Sequence, residues 1–375
     1  MGDFRLGSIL GFEIRIDYSW FIIFFLVLIS FTIAIFPQTV PGLSQTAYIV
    51  MGAAMTLLFF ASLLAHELSH SIVARLKGIP VEGITLFIFG GVSRTRMEAE
   101  TPADEFQIAG VGPLSSVLIG VLFGAVWWVG VQAAWPVSVV AVAQYLAFLN
   151  VLLAVFNLLP GFPLDGGRLF RAAIWRFTGD LTRATRVAST GGKWLGWAIV
   201  ALGIWQTFQF NLVGGLWLVF IGWFLRNAAE AGYQQHMVRL VMEGVTARQA
   251  MTPDPATVPA DLTVQELVDD YFMQRRYHSY PVMEDGRPVG LVTLGQVKEV
   301  PREEWPRRRI RDAMLAAGDE IVAAPEENMS RVLEKMESTE ARRVLVVDRD
   351  GRLAGLITAN DVADWLQRFR QLRGE

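Results

Sequence analysis

The stretch Ala65-His66-Glu67-Leu68-Ser69-His70 sits inside an almost wholly apolar run that starts near Ala47 and lasts to about Ala74. On a helix, positions i and i+4 share a face, so His66 and His70 can present two imidazole nitrogens to one metal ion. Glu67 beside them can take a proton from a water. On a soluble helix the same three residues are as readily a solvated polar face. In an apolar run that reading weakens. An ionisable side chain turned toward lipid costs on the order of a few kcal/mol, so these residues need partners.

Composition points the same way. Of 375 residues, 53% are hydrophobic and only 18% are charged. That balance indicates a membrane protein with a soluble part. The net charge of −3 argues against nucleic acid as a partner of the whole chain. The sequence has no Cys, so there is no disulfide framework and any metal must be held by His and carboxylates. The first apolar run is long and lacks a small-residue cleavage site, so it reads as a retained span.

Charge is unevenly spread. No Asp, Glu, Lys or Arg occurs from Phe106 to Leu164 or from Trp194 to Leu225. Phe12, Ile14 and Ile16 alternate with Glu13 and Arg15, as in a short surface strand. Ser19 to Phe36 is long enough for a first span, and a second runs back through the histidines to Arg75 and Lys77. Val81 to Phe89 is rich in strand formers, and Gly90-Gly91 follows as a turn, which predicts a membrane-associated β-hairpin. Such a hairpin either covers the bundle or offers an edge to an extended peptide, and both readings stay open. Gly110-Val111-Gly112-Pro113 opens a third span to about Val131, and Val139 to about Leu159 is a fourth. A basic segment from Arg168 to Lys193 then reads as an interfacial helix, and the last two spans are Trp194–Phe210 and Leu212–Leu225. Arg75, Lys77, Arg94 and Arg96 follow span two, further basic residues follow spans four and six, and the other turns are uncharged. The positive-inside rule therefore places both termini in the cytoplasm and the histidines nearer the cytoplasmic face.

A catalytic zinc needs a third protein ligand and an open position. The charge-free stretch ends at one carboxylate, Asp165, in Pro163-Leu164-Asp165-Gly166-Gly167. It lies at the cytoplasmic end of span four, on the same side as the end of span two, and can meet His66 and His70. Alone it would read as a helix cap. Asn157 and Asn150 share a face of span four. Asn157, closer to Asp165, suits the substrate carbonyl, whereas Asn150 suits an interhelical hydrogen bond.

The motif His66-Glu67-Leu68-Ser69-His70, the stretch from Asn157 through Asp165-Gly166-Gly167-Arg168 and the strand before span one resemble the site-2 protease family of intramembrane zinc metalloproteases. The resemblance covers residues 1 to about 225. It implies one zinc on His66, His70 and Asp165, Glu67 as general base, Asn157 close to the reacting centre, and substrate contact at Gly90 and Gly91. The implied substrate is a transmembrane protein, cut within the bilayer after local unwinding.

Residues 245–370 contain a repeat. Ala250-Met251 matches Ala313-Met314, Tyr280-Pro281-Val282 matches Val344-Leu345-Val346, and Gly290-Leu291-Val292-Thr293 matches Gly355-Leu356-Ile357-Thr358. Each copy predicts a helix, a strand, a polar turn at Asp285-Gly286 or Asp350-Gly351, a strand and a helix. The pattern resembles a tandem pair of cystathionine β-synthase-type (CBS) domains, which implies an adenine nucleotide, ATP or AMP, between the copies. Thr293, Thr358 and Asp361 are the implied nucleotide contacts. The first copy has Gln296 where the family has Asp, which puts one of the two sites in doubt. Without a ligand, the tail would be a module that joins two chains.

The expected architecture is thus a polytopic α-helical membrane domain of about six transmembrane helices followed by a soluble α/β tandem CBS domain. Its parts are 1–225, the metalloprotease; 226–244, a helical linker; and 245–306 and 307–375, the two repeats. The competing reading is a transporter or channel gated by the tail, with His66, Glu67, His70 and Asp165 as an ion site. A transport site has no need of Glu67 next to the first ligand, and no inverted repeat is evident.

Overall fold

The computed structural model describes residues 3–95, 99–209, 212–242, 244–339 and 341–373. Arg96 therefore lies outside the described residues. The chain forms two compact units, Met1–Gln234 and Gln235–Glu375.

The first unit begins with β1 (Asp3–Ile9) and β2 (Phe12–Asp17). Helix α1 (Ser19–Ile29) passes through a wider turn (Ser30–Ile35) into α2 (Phe36–Thr39). There follow α3 (Gln45–Leu76), β3 (Val81–Phe87), β4 (Gly90–Thr95), α4 (Pro102–Gln132), α5 (Val137–Asn157), α6 (Asp165–Thr178), α7 (Leu181–Phe208) and α8 (Leu212–Met242), whose last residues belong to the second unit. Among the described residues, 6 helices are long and apolar enough to cross a membrane, the first being Ser19–Thr39. Their outward faces carry exposed Leu118, Val121, Leu122 and Trp128, as expected where lipid replaces water.

Two boundaries differ from the sequence expectation, each for a local reason. Helix α4 starts well before Gly110. Thr101 caps it by accepting from the Asp104 N–H, Pro102 suits its first turn, and Asp104 and Glu105 meet the positive end of its dipole. Gly110-Val111-Gly112-Pro113 thus lies within the helix. The basic segment is likewise two helices. Gly179, at φ 69°, ends α6, and Asp180 caps α7 by accepting from Arg183 N–H at 2.9 Å. Arg183, Arg186 and Lys193 therefore ride on α7.

The expected hairpin is part of a four-stranded sheet in the order β1-β2-β3-β4, but its turn falls at Ile88-Phe89, and Gly90 and Gly91 open β4 paired with Phe87 and Leu86. β2 runs parallel to β3, with Ile14 opposite Ile84. Phe12, Ile14 and Ile16 turn inward, and Ile14, Ile84 and Leu86 pack with Trp20, Leu64 and Leu68. Leu64 and Leu68 flank His66 and Glu67 on α3, so the sheet is seated on the motif helix. β4 is left at the sheet's edge.

Helices α7 and α8 meet along small residues. A Cβ on Gly196 would lie 2.7 Å from the Gly222 carbonyl oxygen, and one on Gly203 equally close to that of Gly215. Ser189 Oγ donates to the Ala229 carbonyl at 2.7 Å. These three contacts recur every seven residues on both helices, which holds two antiparallel helices close without hydrophobic drive.

In the second unit the two repeats exchange their leading segments. The strands are β5 (Thr252–Pro253), β6 (Val258–Pro259), β7 (Ser279–Glu284), β8 (Arg287–Thr293), β9 (Leu315–Ala316), β10 (Val322–Ala323), β11 (Arg343–Val347) and β12 (Leu353–Thr358). β5 joins β12 in the sheet β10-β11-β12-β5, and β9 joins β8 in the sheet β6-β7-β8-β9. Accordingly Val245, Ala247 and Ala250 are buried with Val344, Val346 and Ile357, and Ile310 is buried with Tyr280 and Val292.

Candidate active site

The helix α3 carries His66, Glu67 and His70 in the middle of the first unit. His66 and His70 are 2% and 6% exposed, and Glu67 is half-buried. Asp165 is the first residue of α6. Leu164 is the cap position and no side chain caps that helix, so the Asp165 carboxylate is free for other work. Its Oδ2 lies 3.1 Å from His66 Nε2 and 3.1 Å from His70 Nε2, and the two Nε2 atoms are 3.3 Å apart.

Two glycines set Asp165 in this place. A Cβ on Gly166 would lie 2.2 Å from the Leu158 carbonyl oxygen, and one on Gly167 would lie 2.3 Å from the Gly161 carbonyl carbon. The start of α6 can therefore fold back onto the Pro160-Gly161-Phe162-Pro163 loop that ends α5. Arg171, one and a half turns further along α6, forms a buried ion pair with Glu105 of α4, with its Nε donating to Oε1 at 2.6 Å. Its guanidinium also lies over the Phe162 ring at 5.2 Å.

The donor set fits zinc. A tetrahedral ion with His ligands at about 2.0–2.1 Å separates its ligand atoms by roughly 3.3 Å. The three atoms here are 3.1 to 3.3 Å apart, and among the described residues this is the group of His and carboxylates close enough to share one ion. His70 Nδ1 faces the Ile108 carbonyl oxygen at 2.5 Å. A carbonyl only accepts, so Nδ1 carries the proton and Nε2 presents a lone pair toward Asp165. The His70 lone pair and the Asp165 carboxylate brought this close suit a cation between them.

Glu67 and the edge strand are also in contact. A Cβ on Gly91 would lie 2.4 Å from Glu67 Cγ, so only a glycine lets β4 approach this closely. Gly90 has open space around it and a φ of 138°. Asn157 bonds within its own helix: its Nδ2 donates to the Leu153 carbonyl at 3.0 Å. Asn150 bonds across helices, its Nδ2 reaching Ser62 Oγ at 3.4 Å. Sequence reasoning missed Ile108, Gly112, Ser116 and the Glu105–Arg171 pair. Only the position of Gly112 beside Pro113, and of Glu105 as the last charge before a charge-free run, marks them.

The sequence profile described as peptidase family M50 matches residues 54–135 and 124–199, and the CBS domain profile matches 247–303 and 310–368. Rip3 of Mycobacterium tuberculosis, which bears the name of a zinc metalloprotease, is 37% identical over 99% of this chain and 94% of its own length. The chain belongs to peptidase family M50. A Synechocystis relative, also named as a zinc metalloprotease, is 33% identical over 97% of this chain and 96% of its own length. Among solved structures, a site-2 protease from Methanocaldococcus jannaschii is similar at 26% identity and a TM-score of 0.43, covering 62% of this chain and 95% of that one. The M50 chain is thus a zinc metalloprotease with a CBS pair and a multi-pass helical membrane domain, which sets the transporter reading aside.

In the CBS unit the expected nucleotide residues are engaged with one another. Asp361 Oδ2 accepts from Thr358 N at 2.7 Å and Oγ1 at 2.6 Å, and Oδ1 accepts from Thr252 Oγ1 at 2.6 Å. In the first repeat Gln296 Oε1 takes the equivalent place, accepting from Thr293 N at 2.8 Å.

Proposed function

We propose that this M50 protease hydrolyses peptide bonds of transmembrane proteins inside the bilayer, near its cytoplasmic face. The observation that carries the reading is the convergence of His66 Nε2, His70 Nε2 and Asp165 Oδ2 beside Glu67 within an apolar helix bundle. His66, His70 and Asp165 would hold one zinc. When bound, zinc polarises the scissile carbonyl and makes water acidic at neutral pH. Glu67 accepts the proton of the attacking water and returns it to the leaving nitrogen. A substrate helix hides its amides in its own hydrogen bonds, so it must unwind to be cut. The β4 edge, touching Glu67 at Gly91, suits an unwound segment added as a further strand. Asn157 stands one turn from the Pro160 loop and is assigned to the substrate carbonyl.

The tail is assigned to an adenine nucleotide, bound by Thr293, Thr358 and Asp361, that alters the cleavage rate. Arg343 supports an anionic ligand, because its Nε is buried with no hydrogen-bond partner. Such control requires that the nucleotide bind two arrangements of the protein with different affinity. Residues 1–225 form the protease, 226–244 a linker, and 245–306 and 307–375 the CBS repeats, through which two chains can join. Both termini face the cytoplasm.

The deciding experiment measures zinc content and cleavage of a purified transmembrane substrate for wild type, Glu67→Gln and Asp165→Ala. Glu67→Gln is expected to keep zinc and lose cleavage, and Asp165→Ala to lose both. Full cleavage by Glu67→Gln ends the assignment. Equal rates with and without saturating ATP or AMP end the regulatory part.

A further inference from the structure

Each of the two imidazoles has a second nitrogen, and α4 meets both. For His70 the partner is the Ile108 carbonyl, which fixes the ring as argued above. For His66 it is Ser116, whose Oγ lies 2.9 Å from Nδ1. A hydroxyl can donate or accept, so this contact alone leaves the His66 tautomer open. A zinc ion on the opposite side of the ring would decide it. His66 Nε2 stands 3.1 Å from Asp165 Oδ2 and 3.3 Å from the His70 Nε2 lone pair. If Ser116 donated, a hydrogen on His66 Nε2 would occupy the space between the three ligand atoms. If Ser116 accepts, all three face inward as ligands.

We propose that Ser116 is a positioning residue: its hydroxyl accepts from His66 Nδ1–H and holds the ring with Nε2 free for zinc. This rests on the zinc reading of the site. Ser116 is 0% exposed, and a hydroxyl buried in an apolar bundle is retained where a partner needs it. Ile108, Gly112 and Ser116 recur every four positions, so they share one face of α4. Gly112 lets that face come close: a Cβ there would lie 2.1 Å from His70 Nε2 and 2.8 Å from His66 Nε2. One face of α4 thus orients both histidines. The neighbouring Ser115 is different, since its Oγ donates to the Gly112 carbonyl at 2.7 Å within its own helix.

The test uses full-length protein in detergent, stripped of metal and titrated with zinc against a chromophoric chelator. Cobalt-loaded samples give the d–d absorption of the site. Ser116→Ala is expected to weaken zinc binding by about 10- to 100-fold and to shift the cobalt spectrum, as loss of a group that orients a ligand does. Ser115→Ala is expected to match wild type in both. Ser116→Cys keeps the volume with a weak acceptor and is expected to move in the same direction, which carries the test if the alanine variant does not fold. Ser116→Ala with wild-type affinity and spectrum overturns the proposal. A wild type that takes up no zinc overturns instead the metal reading beneath it.

Discussion

Gly91 of β4 lies against Glu67 of α3 so closely that a methyl group on it would stand 2.4 Å from the glutamate Cγ and 2.7 Å from Cδ. The strand that would hold substrate and the group that would move the proton are therefore one packed unit. Gly91→Ala must push the carboxylate or the strand away. Because a positioned general base contributes typically 10²- to 10⁴-fold, kcat is expected to fall by on the order of 10²-fold while zinc content stays at the wild-type level. Gly90→Ala meets no atom within 4 Å but must adopt a φ of 138°, so it is expected to cost stability more than rate. Cleavage assays with metal analysis separate the two, and a Gly91→Ala enzyme with unchanged kcat counts against the contact.

The Glu105–Arg171 pair holds the helix that begins with Asp165 onto α4. Glu105 is 0% exposed and Arg171 8% exposed. Removing one partner leaves a buried charge uncompensated, and Arg171→Met is expected to destabilise the protein by about 3–5 kcal/mol. Replacing both, as Glu105→Leu with Arg171→Met, is expected to recover most of that loss. Thermal unfolding in detergent reads both changes. A double variant as unstable as the single one would mean that the charge is not the cause.

The sequence carries the site unevenly, and the reason is distance along the chain. His66, Glu67 and His70 declare themselves through helical spacing, and Asp165 through being the carboxylate that closes a long charge-free run. Ser116 carries no such mark: it is a serine in an apolar helix, and only its distance to a ring on another helix gives it meaning. The start of α4 is not legible in the apolar run, because its capping signal, Thr101-Pro102, lies outside that run. The same limit applies to the sheet. β2 and β3 are each visible as strand formers, but their parallel pairing joins segments separated by two whole spans. In the CBS unit the repeat is plain, while the exchange of leading segments leaves no trace in either copy alone.

That exchange can be tested at Gly355. A Cβ there would lie 2.6 Å from Met251 Sδ and 2.9 Å from the Thr252 carbonyl oxygen, on the segment that comes from the other repeat. Gly355→Val is expected to lift β5 off β12 and to cost about 1–3 kcal/mol through overpacking. Gly318→Ala, with nothing within 4 Å, is expected to leave stability unchanged. Limited proteolysis should then cut the Gly355→Val chain faster near Thr252, and equal protection of both variants would speak against the exchanged pairing.

A final prediction concerns acid. Thr263 and Glu266 cap each other: Glu266 Oε2 accepts from Thr263 N at 2.8 Å and from Thr263 Oγ1 at 2.9 Å. The bond from the Thr263 backbone N–H, followed by that from its hydroxyl, holds the Glu266 carboxyl below its ordinary value of 4.5. A lowered folded-state value means that the stabilisation is fully present above about pH 4.5 and is lost as the pH falls through the folded value. Glu266→Gln keeps an accepting oxygen but no charge. The wild type is therefore expected to unfold at a higher temperature than Glu266→Gln at neutral pH, and the gap is expected to narrow on acidification below about pH 4.5. Unfolding temperatures of both chains across that range measure it, and a gap that holds constant or widens in acid would show that the carboxylate charge is not what stabilises this cap.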